Sequence, residues 1–173
     1  AIVPVHYGGL PCRMERIWEI AARHGLAVIE DAAHTMGARY AGRRIGSDPR
    51  SVFSVYSFHP NKNMTTIEGG AVAFHDPRHE AYLKLQRFHG IARGEGTPYA
   101  EGSPLYDVPM PGRKSNFMDV QAAVGLCQLP KLDGFAARRG ALARLYLSLL
   151  ADVPEVVLPA DGGLKGKVAY ADG

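Results

Sequence analysis

Between Ser54 and Val72 the chain reads SVYSFHPNKNMTTIEGGAV, and its lysine, Lys62, stands among hydroxyls, amides and histidines. A structural lysine usually sits on a solvated helix face with its ammonium in water. Lys62 is followed instead by Asn63, two threonines and the pair Gly69-Gly70, the composition of a binding turn. Upstream, LAVIEDAAH is an apolar run that turns acidic at its end, which puts Asp31 and His34 just past a strand. In an open α/β sheet, ligands bind beyond the carboxyl ends of the strands. Asp31 with His34, Ser57 with His59, and Lys62 all fall at such ends.

An amine and a carboxylate at neighbouring strand ends are the pair that pyridoxal phosphate chemistry requires. The amine holds the aldehyde as a Schiff base, and the acid keeps the pyridine nitrogen protonated so that the ring draws electrons from a bound amino acid. Such an amine must be partly desolvated to react as the free base. Taken singly, each residue has a plainer reading. Asp31 would cap the next segment, His34 would be a satisfied structural histidine, Ser57 would have no role, and Lys62 would be a surface lysine. Only the combination points to a cofactor.

Several elements must position these groups. Residues 2–6 read as a short strand, although Pro4 would cost a ladder hydrogen bond in a sheet centre. Met14, Ile17, Trp18 and Ala21 recur at helical spacing over residues 13–24, with Gly25 as the stop. Strand, helix and strand within about thirty residues make a βαβ unit. Residues 38–50 read as a loop or short hairpin, 52–57 and 70–74 as strands, and 78–88 as a helix with Tyr82, Leu85 and Phe88 inward. Residues 89–114 are rich in Gly and Pro and read as a long loop, of a length that is usually functional or an interface. Helix returns at 117–129, with Asn116 and Asp119 spaced as a cap and its acidic partner. Pro130 breaks it, and a second helix follows over 132–151. The expected fold class is α/β, a largely parallel sheet with flanking helices.

Composition excludes more than it selects. The 173 residues are 46% hydrophobic and 21% charged, ordinary for a globular chain, and the net charge of +3 is too small to imply nucleic acid. No apolar run approaches the roughly 18 residues of a membrane helix, and the opening AIVPVHYGG lacks the basic start of a signal peptide. Cys12 and Cys127 form no CxxC pair, so they read as free, buried thiols in a reducing compartment, with the cytoplasm as the default. The chain opens inside an apolar strand pattern without methionine and closes on GGLKGKVAYADG, which reads as a fragment truncated at both ends.

Three stretches in order, VIEDAAH, YSFHPNKNMTTIEGGAV and GRKSNFMDVQAAVGLCQLPKL, resemble the DegT/StrS-type sugar aminotransferases over residues 2–139. The resemblance implies a fold-type-I pyridoxal phosphate enzyme that aminates a keto sugar on a nucleotide carrier, in amino-sugar biosynthesis for envelope polysaccharides, with glutamate as the usual donor. By position, Lys62 corresponds to the Schiff-base lysine that also moves the proton, Asp31 to the carboxylate on the pyridinium nitrogen, and His34 to a residue packed on the cofactor ring. Ser57 corresponds to a hydroxyl donor to the cofactor phosphate. Asn116 corresponds to an asparagine reaching the phosphate in the other subunit, which implies a homodimer with shared sites and competes with the cap reading. Residues 1–132 would be part of the large, cofactor-binding domain, and 133–173 the connecting helix and the start of the small domain. His59 and its context lie nearest to members acting on 4-keto sugars.

Members run to about twice this length, and no counterpart of their N-terminal phosphate loop at a helix start is visible. Other readings are a non-catalytic or regulatory dimerisation module of the same fold, or a sugar dehydratase, where relatives replace the lysine with histidine. A metal hydrolase using His6, His34, His59 and Asp31 has no HExxH-type spacing behind it, and no metal is expected.

Overall fold

In the computed structural model, described for residues 1–94 and 97–158 and for the backbone of 168–169, the chain forms two compact units. One comprises 1–75 with 119–173, and the other 76–118. In the first unit the βαβ pattern is realised. Ile2 and Val5 bridge in parallel to Val28 and Asp31, α1 spans Met14–Arg23, and β1 spans Ile29–Asp31. Pro4 fits because its carbonyl, which needs no N–H of its own, accepts from the Asp31 amide at 2.9 Å. Gly25 follows the helix at φ +60°, as a left-handed stop requires.

The sequence 38–50 forms a hairpin, β2 (Arg39–Tyr40) against β3 (Arg43–Arg44), turning through Ala41 and Gly42 at positive φ. β4 (Phe53–Ser57) lies parallel to β1, and β5 (Gly70–Ala73) runs antiparallel to β4. The sheet is therefore mixed, parallel from the first segment through β1 to β4 and antiparallel at β5, so the expectation of a largely parallel sheet holds in part. A parallel return needs a crossover of a dozen or more residues, usually carrying a helix. Residues 58–69 hold none and turn the chain straight back. A two-residue strand, β6 (Val168–Ala169), pairs with β2; residues 159–167 and 170–173 of the closing stretch lie outside the described residues.

The core gathers Met14, Trp18, Ala21, Val28, Ala32, Tyr40 and Ile45 between α1, the sheet and the hairpin. Trp18 donates its indole N–H to Ser51 Oγ at 2.9 Å, and the Arg50 guanidinium stacks 3.7 Å above its ring. Beneath, His6 and Glu30 are both buried and pair at 2.9 Å. The Cys12 amide donates to His6 Nδ1, so His6 Nε2 carries the proton given to Glu30. Cys12 is half-buried and burial raises its thiol pKa, whereas Cys127 is exposed, contrary to the expectation of two buried thiols.

Helix α3 (Asp119–Gln128) begins two residues later than expected and ends in a 3-10 turn containing Pro130. α4 (Leu132–Leu149) runs through Gly134 and Gly140. Its Leu132 and Ala136 are buried. In the second unit, α2 (Arg78–Arg87) leads into the long loop, which is stapled by antiparallel bridges Phe88–Lys114 and Ala92–Asp107. Tyr82 and Phe88, expected inward, are exposed. Their spacing marks an apolar helix stripe, but spacing alone does not say what covers it.

Candidate active site

Strand register decides which candidates share a face. Val5 bridges Asp31, Asp31 pairs with Val55, and Val55 pairs with Val72. Directly paired residues point to the same side of a sheet. Asp31 therefore stands in a row with three exposed valines, while its neighbours Glu30 and Ser54 are buried on the opposite face, as α1 is. The carboxylate is thus presented on the uncovered side. There it accepts from the Ala33 amide at 3.1 Å, a local turn that sets its direction.

Ser57 closes β4 two residues past the partner of Asp31, on the same carboxyl edge. Among the described residues its hydroxyl receives only a long contact from the His59 amide, 3.4 Å. Beyond it the Lys62 loop is braced from within. The Phe58 carbonyl accepts from Thr66 N–H and Thr65 Oγ1, the Phe58 amide donates to Gly69, and the Lys62 amide donates to His59. Asn63 spans outward, its side-chain amide donating to the Met36 carbonyl at 2.8 Å, which ties this loop to the one following β1. Arg139 of α4 donates to the Asn63 carbonyl. Met64 and Thr66 are buried, and Gln121 of α3 reaches the Glu68 carbonyl.

Amid this bracing Lys62 is partly exposed as a residue, and its amine makes no hydrogen bond or ion pair among the described residues. An amine with no partner in the fold is left available for a covalent bond to a ligand. An outward carboxylate and a partly exposed hydroxyl at the sheet's carboxyl edge, with an unpartnered amine on the loop that follows β4, fit pyridoxal phosphate by donor chemistry.

His34 follows the same strand end as Asp31. Its Nδ1 accepts from the Gly8 amide at 3.1 Å. His59 engages Asn61 within its own turn. His6 belongs to the buried pair on the other face, so the four-group metal set is dispersed. Among the described residues no cluster of three or more His, Cys, Asp and Glu could hold a metal. Asn116 lies in the second unit, exposed, with its Oδ1 accepting from the Lys114 ammonium at 3.2 Å. Because α3 starts at Asp119, the cap reading of Asn116 is corrected. A cavity of about 250 Å3, lined by Met14, Trp18, Glu30, Tyr40, Asp48 and Arg50, opens on the α1 face and not at this edge. Its Glu15 and Asp48 carboxylates are held by Tyr40 and Arg50, so it belongs to the core's polar rim.

Sequence reasoning passed over two contributors. Asn63 was read as context for Lys62, although an amide beside a reactive lysine is a natural strap. Tyr7-Gly8-Gly9, between the strand read over 2–6 and the helix over 13–24, has no reading from the sequence.

Residues 1–170 match the DegT/DnrJ/EryC1/StrS aminotransferase family. The chain belongs to that family. Among solved structures it resembles Helicobacter pylori PseC, an aminotransferase involved in the biosynthesis of pseudoaminic acid, at 31% identity and a TM-score of 0.77. That match covers 89% of this chain and 39% of PseC. S. venezuelae DesV, solved with a ketimine intermediate, is 39% identical at a TM-score of 0.76, covering 91% and 40%. 3-Amino-5-hydroxybenzoic acid synthase is 33% identical at 0.77, covering 90% and 38%. The chain thus spans about two-fifths of the length of these relatives. No helix among the described residues is long and apolar enough to cross a membrane.

Proposed function

We propose that this chain is the cofactor-carrying segment of a pyridoxal phosphate-dependent aminotransferase that converts a keto sugar on a nucleotide carrier to an amino sugar, with glutamate as donor. The Lys62 amine on the loop after β4, which has no hydrogen bond or ion pair among the described residues, carries this reading, set within a family of aminotransferases. Bound cofactor supplies an electron sink for the carbon that loses its proton. Lys62 holds the cofactor covalently and moves the proton between substrate and cofactor carbons. Asp31 keeps the pyridine nitrogen protonated, His34 packs on the ring, and Ser57 donates to the phosphate. Asn116 reaches the phosphate bound by the partner copy, which makes the enzyme a homodimer with shared sites.

In the longer protein, residues 1–132 belong to the large domain and 133–173 to the connecting helix and the start of the small domain. The enzyme is cytoplasmic. The sugar rests on the ordered motifs, since 3-amino-5-hydroxybenzoic acid synthase lies at similar distance. Retention of Lys62 favours transamination over dehydration. The test is turnover of a nucleotide-linked keto sugar with glutamate by the full-length protein and its Lys62→Ala variant, with products read by mass spectrometry. Amino sugar formed by the first and not the second is expected. Undiminished turnover by Lys62→Ala contradicts the reading.

A further inference from the structure

The turn that precedes α1 has no part in the scheme above. Tyr7–Gly9 form one 3-10 turn at the carboxyl end of the first extended segment. Tyr7 is 78% exposed, unusual for a large aromatic side chain. Its ring nevertheless stands edge-on to the His34 imidazole, with centroids 5.6 Å apart at 63°. The next residue gives its backbone N–H to His34 Nδ1. Gly8 and Gly9 hold this shape at φ +62° and +89°. A Cβ at Gly8 would meet nothing within 4 Å, so the backbone conformation, not space, calls for glycine there.

We propose that the Tyr7–Gly9 turn is the positioning element of His34, selecting the imidazole tautomer protonated on Nε2 and fixing the ring plane offered to the cofactor. A backbone N–H can only donate, so Nδ1 must present its lone pair, and a neutral imidazole then carries its proton on Nε2. The Tyr7 edge restrains rotation of the imidazole about its own bond, since edge-to-face pairs hold a preferred angle. Gly8 and Tyr7 thus set two different degrees of freedom of one ring: which nitrogen bears the proton, and how the plane is turned. Both Tyr7 and Gly8 are positioning residues. The consequence for cofactor binding rests on the placement of His34 under Proposed function, whereas the tautomer does not.

The test uses the full-length protein labelled with 15N-histidine, with long-range 1H–15N correlations recorded in the cofactor-free state. His34 is expected to show a proton on Nε2 and none on Nδ1. Gly8→Ala, whose side chain disfavours the left-handed turn, is expected to give a mixture of tautomers. Tyr7→Leu keeps the Gly8 amide, so it is expected to retain the tautomer while the pyridoxal phosphate dissociation constant rises about fivefold. His34→Gln, which still offers an oxygen to Gly8, is expected to bind the cofactor more tightly than His34→Leu. A proton on Nδ1 in the unmodified protein overturns the proposal, and so does a Gly8→Ala variant with an unchanged pattern. An unchanged dissociation constant in Tyr7→Leu overturns the ring-plane part. If the unmodified protein binds no pyridoxal phosphate yet shows the Nε2 proton that Gly8→Ala scrambles, the cofactor reading falls and the tautomer assignment stands.

Discussion

Asp31 presents its carboxylate on the open face because the register Val5–Asp31–Val55–Val72 leaves it no other side. Asp31→Asn keeps the shape and the Ala33 hydrogen bond but removes the charge. Transamination is expected to fall by roughly a hundredfold or more, on the scale of losing a proton-managing group, with the thermal midpoint little changed; stopped-flow half-reactions with glutamate check this. A different carboxylate answers to stability. The Arg50 hydrogen bond, assisted by Arg43, holds Asp48 down to about 2. A folded value below the unfolded one means the stabilisation is present above about pH 4 and is lost as pH falls from there toward 2. Asp48→Asn is therefore expected to lower stability at neutral pH and to flatten the acid limb of a urea-denaturation series. Both aspartates were visible as letters, but only Asp31 was legible as a site residue. An acid at the end of an apolar run has few uses, whereas Asp48 before Pro49 looks like turn punctuation.

At the scale of elements, β5 lies against β4 so closely that a Cβ at Gly70 would meet the Tyr56 carbonyl oxygen at 2.6 Å. That atom is backbone and cannot swing away. Gly70→Ala is expected to cost about 1–3 kcal/mol, in the range of overpacked sites, measured by chemical denaturation. Gly70 thus serves strand packing as well as the turn, a role its sequence context did not disclose. The βαβ unit was legible because period and stop signals agree over residues 2–31. The strand at β5 was legible but its direction was left unread, although the signal was present: residues 58–69 carry no helical period, and without a crossover helix the chain returns antiparallel. Asn116 was read as a cap from spacing alone, and spacing cannot fix where a helix begins to within a turn.

For the whole molecule, one face of the sheet shows Val3, Val5, Val55 and Val72 to solvent, and α3, α4 and the 3-10 turn between them expose Val120, Leu126, Leu129, Leu145 and Leu149. The chain covers about two-fifths of its solved relatives. Apolar periodicity told which residues form faces but not what lies on them, which is why Tyr82 and Phe88 were expected inside; Cys127 was expected there only by residue type. Expressed alone, the 173 residues are expected to bind an apolar dye strongly and to retain no pyridoxal phosphate on gel filtration, whereas the full-length protein retains it. A stoichiometric cofactor complex of the isolated segment would contradict this. The most direct measurement is where the cofactor attaches. The full-length protein is incubated with pyridoxal phosphate, reduced with borohydride, digested and mapped by mass spectrometry. The account predicts one dominant pyridoxyl group, on Lys62. Label spread over Lys84, Lys114 and Lys131 with Lys62 unmodified would contradict it.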